Sequence, residues 1–186
     1  MDIVNICFLG DGSVGKSSIV SRYDNNKFSE NKIATILDQM TIKKVINGKT
    51  IKINIIDTSG QEEYESIKNI QINKNNAFFL VFSLTSFNSY YQIMEILDLI
   101  IKIKEDNDFS MIIVGNKCDL INERVIKKKQ LIELSNKWNC KYFETSAKDN
   151  INIDKIFNEM INDINLKKNN KNKIKKINKK KLCSLL

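Results

Sequence analysis

Histidine and proline are both missing from the 186 residues, glycine occurs only six times and tryptophan once. Without histidine there is no Ser-His-Asp triad and no usual histidine-containing zinc site. The absence of proline, beside abundant asparagine and lysine, carries no functional content. The four cysteines, Cys7, Cys118, Cys140 and Cys183, show no CxxC spacing. Three are scattered through the body and one stands near the end, which suits a reducing compartment better than a disulfide framework. No apolar run approaches the roughly 18 residues that span a bilayer, and no signal-peptide pattern opens the chain. Acidic residues are absent from Lys167 onward, where there are nine lysines. Residues 1–166 carry 21 basic and 22 acidic side chains, so the net charge of +8 belongs to the tail alone. That argues for a charged appendage and against a basic nucleic-acid-binding face, and no nucleic-acid partner is expected.

What is present suffices for one domain with a substantial core. Residues 3–9 read as a buried strand, followed by a glycine loop and a helix from about Lys16 to Asn25. A polar stretch leads to "MTIKKVI" and "KTIKINIID", which flank Asn47-Gly48, a two-residue hairpin signal. A polar segment and a weak helix to about Asn76 follow. "AFFLVFS" and "MIIVGNK" read as buried strands, and "CKYFETS" as a short one. "SYYQIMEILDLIIKIK", "VIKKKQLIELSNKW" and "INIDKIFNEMINDINL" have helical spacing. Strands alternating with helices predict an α/β fold: a six-stranded, mostly parallel sheet with one antiparallel strand and helices on both faces. The predicted domain covers residues 1–166, and 167–186 is expected to be a disordered lysine-rich tail.

Gly10-x-x-x-x-Gly15-Lys16-Ser17 fits the phosphate-loop pattern between a predicted strand and a predicted helix. Small residues let successive backbone N–H groups turn inward around a polyphosphate, with the positive helix end behind them. The backbone of Gly12, Ser13, Val14, Gly15, Lys16, Ser17 and Ser18 is the candidate cradle. Lys16 can reach the outer phosphates and Ser17 can offer a hydroxyl to Mg²⁺. A flexible turn with a coincidental lysine would not bring the whole pattern. Downstream, "NKCD" ends a predicted strand, with Asn116, Lys117 and Asp119 as candidate base contacts. A carboxylate accepts two N–H donors at once, which guanine presents at N1 and its 2-amino group and adenine does not. "ETSAK" also ends a strand, and the backbone of Ser146 and Ala147, with Lys148, can close over the base.

With "GDGSVGKS", Thr35 in "ATILD", "DTSGQEEY", "NKCD" and "TSAK" in this order, residues 3–166 resemble the Ras superfamily of small GTPases, a P-loop NTPase G domain. The resemblance is greatest to the Ras branch. The tryptophan that Rab and Rho proteins usually carry before the aspartate is missing, and one C-terminal cysteine replaces the usual Rab pair. The resemblance implies a GTP/GDP switch with Mg²⁺ held by Ser17, Thr35 and Asp57. It gives Thr35 and Gly60 backbone contacts to the third phosphate, Gln61 the orientation of the attacking water, and Phe28 an edge-on contact with guanine. Lys16, Thr35, Gly60 and Gln61 are then the catalytic set, and loops that meet the third phosphate should order and loosen with the nucleotide. In this family an arginine finger contributes roughly 10³–10⁵ in rate. The two arginines, Arg22 and Arg124, lie outside the Thr35 and Gln61 loops. Slow intrinsic hydrolysis is therefore expected, with an activating protein, an exchange factor and effectors as partners.

The chain also departs from the family. Ser59 stands where alanine is usual, and Lys32 and Ala34 replace tyrosine and proline. Leu37, Gln39 and Met40 alter the effector-facing stretch, so effectors do not carry over. These changes keep open a hydrolysis-deficient GTP-binding adaptor, and a Rab-like trafficking GTPase is a further alternative. The chain ends Cys183-Ser184-Leu185-Leu186, a CaaX-type box whose last leucine points to geranylgeranylation. One lipid anchors marginally, and the lysines supply the second signal. The expected place is the cytoplasmic face of an anionic membrane.

Overall fold

The computed structural model describes residues 2–29, 37–46, 48–58, 65–104 and 108–183. Six strands form one sheet: β1 (Asp2–Leu9), β2 (Leu37–Ile46), β3 (Lys49–Thr58), β4 (Ala77–Ser83), β5 (Ser110–Asn116) and β6 (Lys141–Glu144). Their order is β2-β3-β1-β4-β5-β6. Among the described strands only the β2–β3 pair is antiparallel. The described residues also form five α-helices, α1 (Lys16–Asn25), α2 (Glu65–Lys74), α3 (Phe87–Ile103), α4 (Lys128–Trp138) and α5 (Ile153–Cys183), and a single 3-10 turn at Ile121–Glu123.

The side-chain alternation of the strands divides the core. On β1, Ile6 and Phe8 face one side, where they meet Ile19 and Tyr23 of α1 and Phe157 of α5. Cys7 and Leu9 face the other, toward Ile72 of α2 and Ile93 and Leu97 of α3. Every residue of β4 is buried, as its unbroken apolar run requires when both faces are covered. Phe157 lies against Phe8 and Phe79 and stacks on Tyr23, ring centroids 3.5 Å apart. The burial of the Cys7 thiol pushes its pKa well above the usual range, so it behaves as an apolar filler.

Most boundaries follow local chemistry. α3 begins at Phe87, two residues earlier than the spacing suggests, because the Ser86 side chain accepts the Ser89 N–H at 3.2 Å. β2 begins at Leu37 because pairing with β3 runs on through Asp38↔Asp57 and Leu37↔Thr58. Asn47 of the hairpin turn lies outside the described residues.

α5 runs as helix from Ile153 to Cys183. Its lysine-rich extension is tied to the body at its start: Lys167 Nζ donates to the Phe109 carbonyl, and Lys171 pairs with Asp108. No helix among the described residues is long and apolar enough to cross a membrane.

Candidate functional site

The C-terminal ends of β1, β3 and β5 bring the glycine loop, Asp57 and Asn116 to one edge of the sheet, where open α/β sheets bind ligands. Gly10 leaves β1 at φ +144°, and a Cβ there would stand 1.9 Å from the Val81 carbonyl oxygen of β4. Gly15 sits at φ +98°, with a Cβ position 2.3 Å from Nδ2 of Asn116. Neither place admits a side chain, so the loop can hug the strand ends only with glycine. Gly12 and Ser13 are exposed, Ser13 in the left-handed region at φ +57°. Val14 is buried and Ser18 half-buried. The Gly12 N–H donates to the Asp11 carboxylate at 2.6 Å.

α1 starts without a side-chain cap, so its first-turn amides and dipole face the loop. Lys16 is 6% exposed, and its ammonium donates to the carbonyls of Gly10 at 2.9 Å and Asp11 at 2.7 Å. Burial lowers its pKa from 10.5 to about 8, against the pull of Asp57 and Asp11 in the other direction. A buried cation whose hydrogen bonds among the described residues go to carbonyls is a strong attractor for an anion.

The β1–β3 register sets Asp57 beside Phe8, directly below the loop. Asp57 is 4% exposed and accepts a hydrogen bond from the Ser17 hydroxyl. These two hard oxygen donors, Asp57 buried and Ser17 half-buried, lie side by side and suit Mg²⁺. Among the described residues no group of three or more His, Cys, Asp or Glu could hold a metal alone. The pair therefore fits an ion that draws the rest of its shell from phosphate and water.

The second half of the site hangs on Asn116, 2% exposed at the end of β5. Its Nδ2 donates to the Val14 carbonyl at 2.9 Å, and its Oδ1 accepts from the Thr145 hydroxyl at 3.1 Å. One amide thus joins the glycine loop to the segment after β6. Lys117 is half-buried at φ +66°, and Asp119 is half-buried in the turn that follows. The Cys118 N–H donates to the Thr145 carbonyl at 3.0 Å. Ser146 and Ala147 are buried and Lys148 is exposed. Arg124 clasps Glu144 through two hydrogen bonds of 2.9 and 2.6 Å, bracing the same pair of loops. Phe28, half-buried, packs against the core side of α1. Thr145, fully buried, is a residue that sequence reasoning missed. Its position between "NKCD" and "SAK" was the available signal. Thr35, Gly60 and Gln61 lie outside the described residues, as do Lys32, Ala34, Ser59 and Ser184–Leu186.

The model of the Ras family matches residues 5–166. The chain belongs to the Ras family. It is a small GTPase of the Ras superfamily, a GTP-binding protein and a GTP hydrolase. The family binds guanine nucleotide with Mg²⁺. The match ends at 166, within α5, so the lysine-rich extension of this Ras-family chain lies beyond it.

Proposed function

We propose that this Ras-family GTPase is a GTP/GDP switch of the Ras branch, tethered to the cytoplasmic face of a membrane and slow to hydrolyse GTP unaided. The observation that carries the switch reading is the junction of buried Lys16 and Asp57 with Ser17 at the uncapped start of α1. In this reading the loop amides of residues 12–18 take the phosphates, and the Lys16 ammonium turns from its two carbonyls to the outer phosphate oxygens. Asp119 accepts guanine N1–H and the 2-amino group, while Asn116 keeps the two loops at a fixed separation. Lys117 and Phe28 flank the base, and the backbone of Ser146, Ala147 and Lys148 covers its edge. Ser17, Thr35 and Asp57 would hold Mg²⁺, which supplies charge neutralisation across the outer phosphates. Thr35 and Gly60 read the third phosphate, and Gln61 orients the attacking water.

Without an arginine in the Thr35 and Gln61 loops, the transition-state charge is left to a partner's cation. The tail acts through its nine lysines and a lipid on Cys183, two weak signals that together make a stable anchor.

The test begins with the nucleotide that co-purifies with the full chain, followed by competition with GDP, IDP and ADP. GDP should win. IDP, which lacks the 2-amino group, should bind about 10- to 200-fold more weakly, the cost of one charge-assisted hydrogen bond. ADP competing on equal terms would sink the guanine assignment. Single-turnover phosphate release then separates two readings that Ser59 leaves side by side. Slow release accelerated by a cell extract supports the switch, and none under either condition supports the GTP-binding adaptor.

A further inference from the structure

Arg22, in the last turn of α1, makes contacts far from the phosphate loop. Its guanidinium donates to the carbonyls of Ala147 (2.8 Å), Lys148 (2.7 Å) and Asn26 (2.8 Å), and to the Asn26 side-chain oxygen (3.2 Å). Four of the five N–H donors of one planar cation are thereby engaged. The same group lies 5.9 Å from the Phe28 ring centroid. It therefore ties together three segments: the end of α1, the stretch entering Phe28, and the 146–148 loop. From these contacts we infer that Arg22 is a positioning residue that holds the base-covering loop shut and so sets the rate of nucleotide release. The inference rests on the guanine-nucleotide reading above.

The mechanism follows from peptide geometry. No cis peptide occurs among the described residues, so the Ala147 carbonyl and the Lys148 N–H lie on opposite edges of one plane. Drawing the carbonyl onto Arg22 turns that N–H to the opposite side. The next peptide behaves alike: its Lys148 carbonyl sits on Arg22 while its Asp149 N–H donates to the Ser146 hydroxyl at 2.9 Å. Two successive peptides are thus oriented by one cation from the outside and a hydroxyl from within.

Arg22 also caps its own helix, since its carbonyl accepts the Asn26 N–H at 3.0 Å. A single rigid fork makes the helix end and the covering loop move together. Lysine carries the charge but not the fork, and cannot span all these carbonyls at once.

The experiment measures release of fluorescent GDP from the Mg²⁺-loaded full chain as wild type, Arg22→Ala and Arg22→Lys. Leu97→Ala, in the core on the other face of the sheet, serves as a control destabilised away from α1 and the loop. Arg22→Ala should release GDP about tenfold faster or more, because charge-assisted hydrogen bonds that hold the loop are lost. Arg22→Lys should fall between it and wild type. Release should change more than single-turnover hydrolysis does. Arg22→Ala within twofold of wild type, or no faster than Leu97→Ala, would overturn the inference. Should Arg22→Ala not fold, wild-type release from Arg22→Lys overturns it equally. A wild-type chain that takes up no GDP would sink the nucleotide reading itself. Wild type that retains GDP, with variants that behave identically, would sink only the role of Arg22.

Discussion

Lys16 shows how one side chain records what is meant to sit beside it. An ammonium group buried this deeply loses hydration, and the carbonyls of Gly10 and Asp11 replace only part of it. The lowered pKa, about 8, is the mark of that deficit. A phosphate ester would remove the deficit, so the contact should be worth more to the bound state than a surface ion pair. Lys16→Met keeps the apolar stem and deletes the charge. Nucleotide affinity should fall about 10- to 200-fold, as expected for a hydrogen bond to a charged group. Isothermal titration with GDP and Mg²⁺ reads this directly, and an unchanged affinity would show that Lys16 is structural only.

The elements around this residue differ in how openly the sequence announces them. The bounds of α1 and β4 match their sequence readings because the signals are local: a glycine loop opens one, and an unbroken apolar run defines the other. Short local patterns likewise put Lys16 and Ser17 at the start of α1 and Asn116 at the end of β5, where the structure has them. The start of β2 was not legible, because Leu37, Asp38 and Gln39 join the sheet by pairing with β3, an effect no local pattern carries. The contacts of Arg22 were hidden as well, since its partners lie 125 and 126 residues away. α5 mixes the two cases. Its apolar spacing to residue 166 is plain, whereas the contacts of Lys167 with Phe109 and of Lys171 with Asp108 span 58 and 63 residues and leave no local pattern. The packing of α5 on α1 should dominate the stability of that face. Phe157 is fully buried among Phe8, Tyr23 and Phe79, and Phe157→Ala leaves a cavity under the helix that presents Lys16. A loss of about 3–5 kcal/mol is expected. Urea unfolding should show a lower midpoint with an unchanged slope. A loss below about 1 kcal/mol would mean that the site can collapse around the missing ring.

At the scale of the whole molecule, charge and core are spatially divided. The core residues contributed by α5, namely Ile153, Ile156, Phe157, Met160 and Ile161, all precede residue 166, as does the family match. The nine lysines all follow it, and without them the chain holds 21 basic against 22 acidic side chains. Truncation after residue 166 should therefore leave the nucleotide site intact while removing the electrostatic attraction to a membrane. It also breaks the contacts of Lys167 and Lys171, but these are solvent-accessible pairs that contribute little. Each lysine held near an anionic surface contributes about 1 kcal/mol, and the effect fades within a Debye length of about 10 Å at 0.1 M salt. The unlipidated full chain should bind vesicles rich in anionic lipid at low salt, bind neutral vesicles weakly, and dissociate at about 0.5 M salt. Residues 1–166 should bind neither vesicle yet bind GDP as the full chain does. Vesicle flotation beside GDP titration checks both halves. Equal flotation of the two chains would place the membrane-binding surface on the folded body rather than the tail.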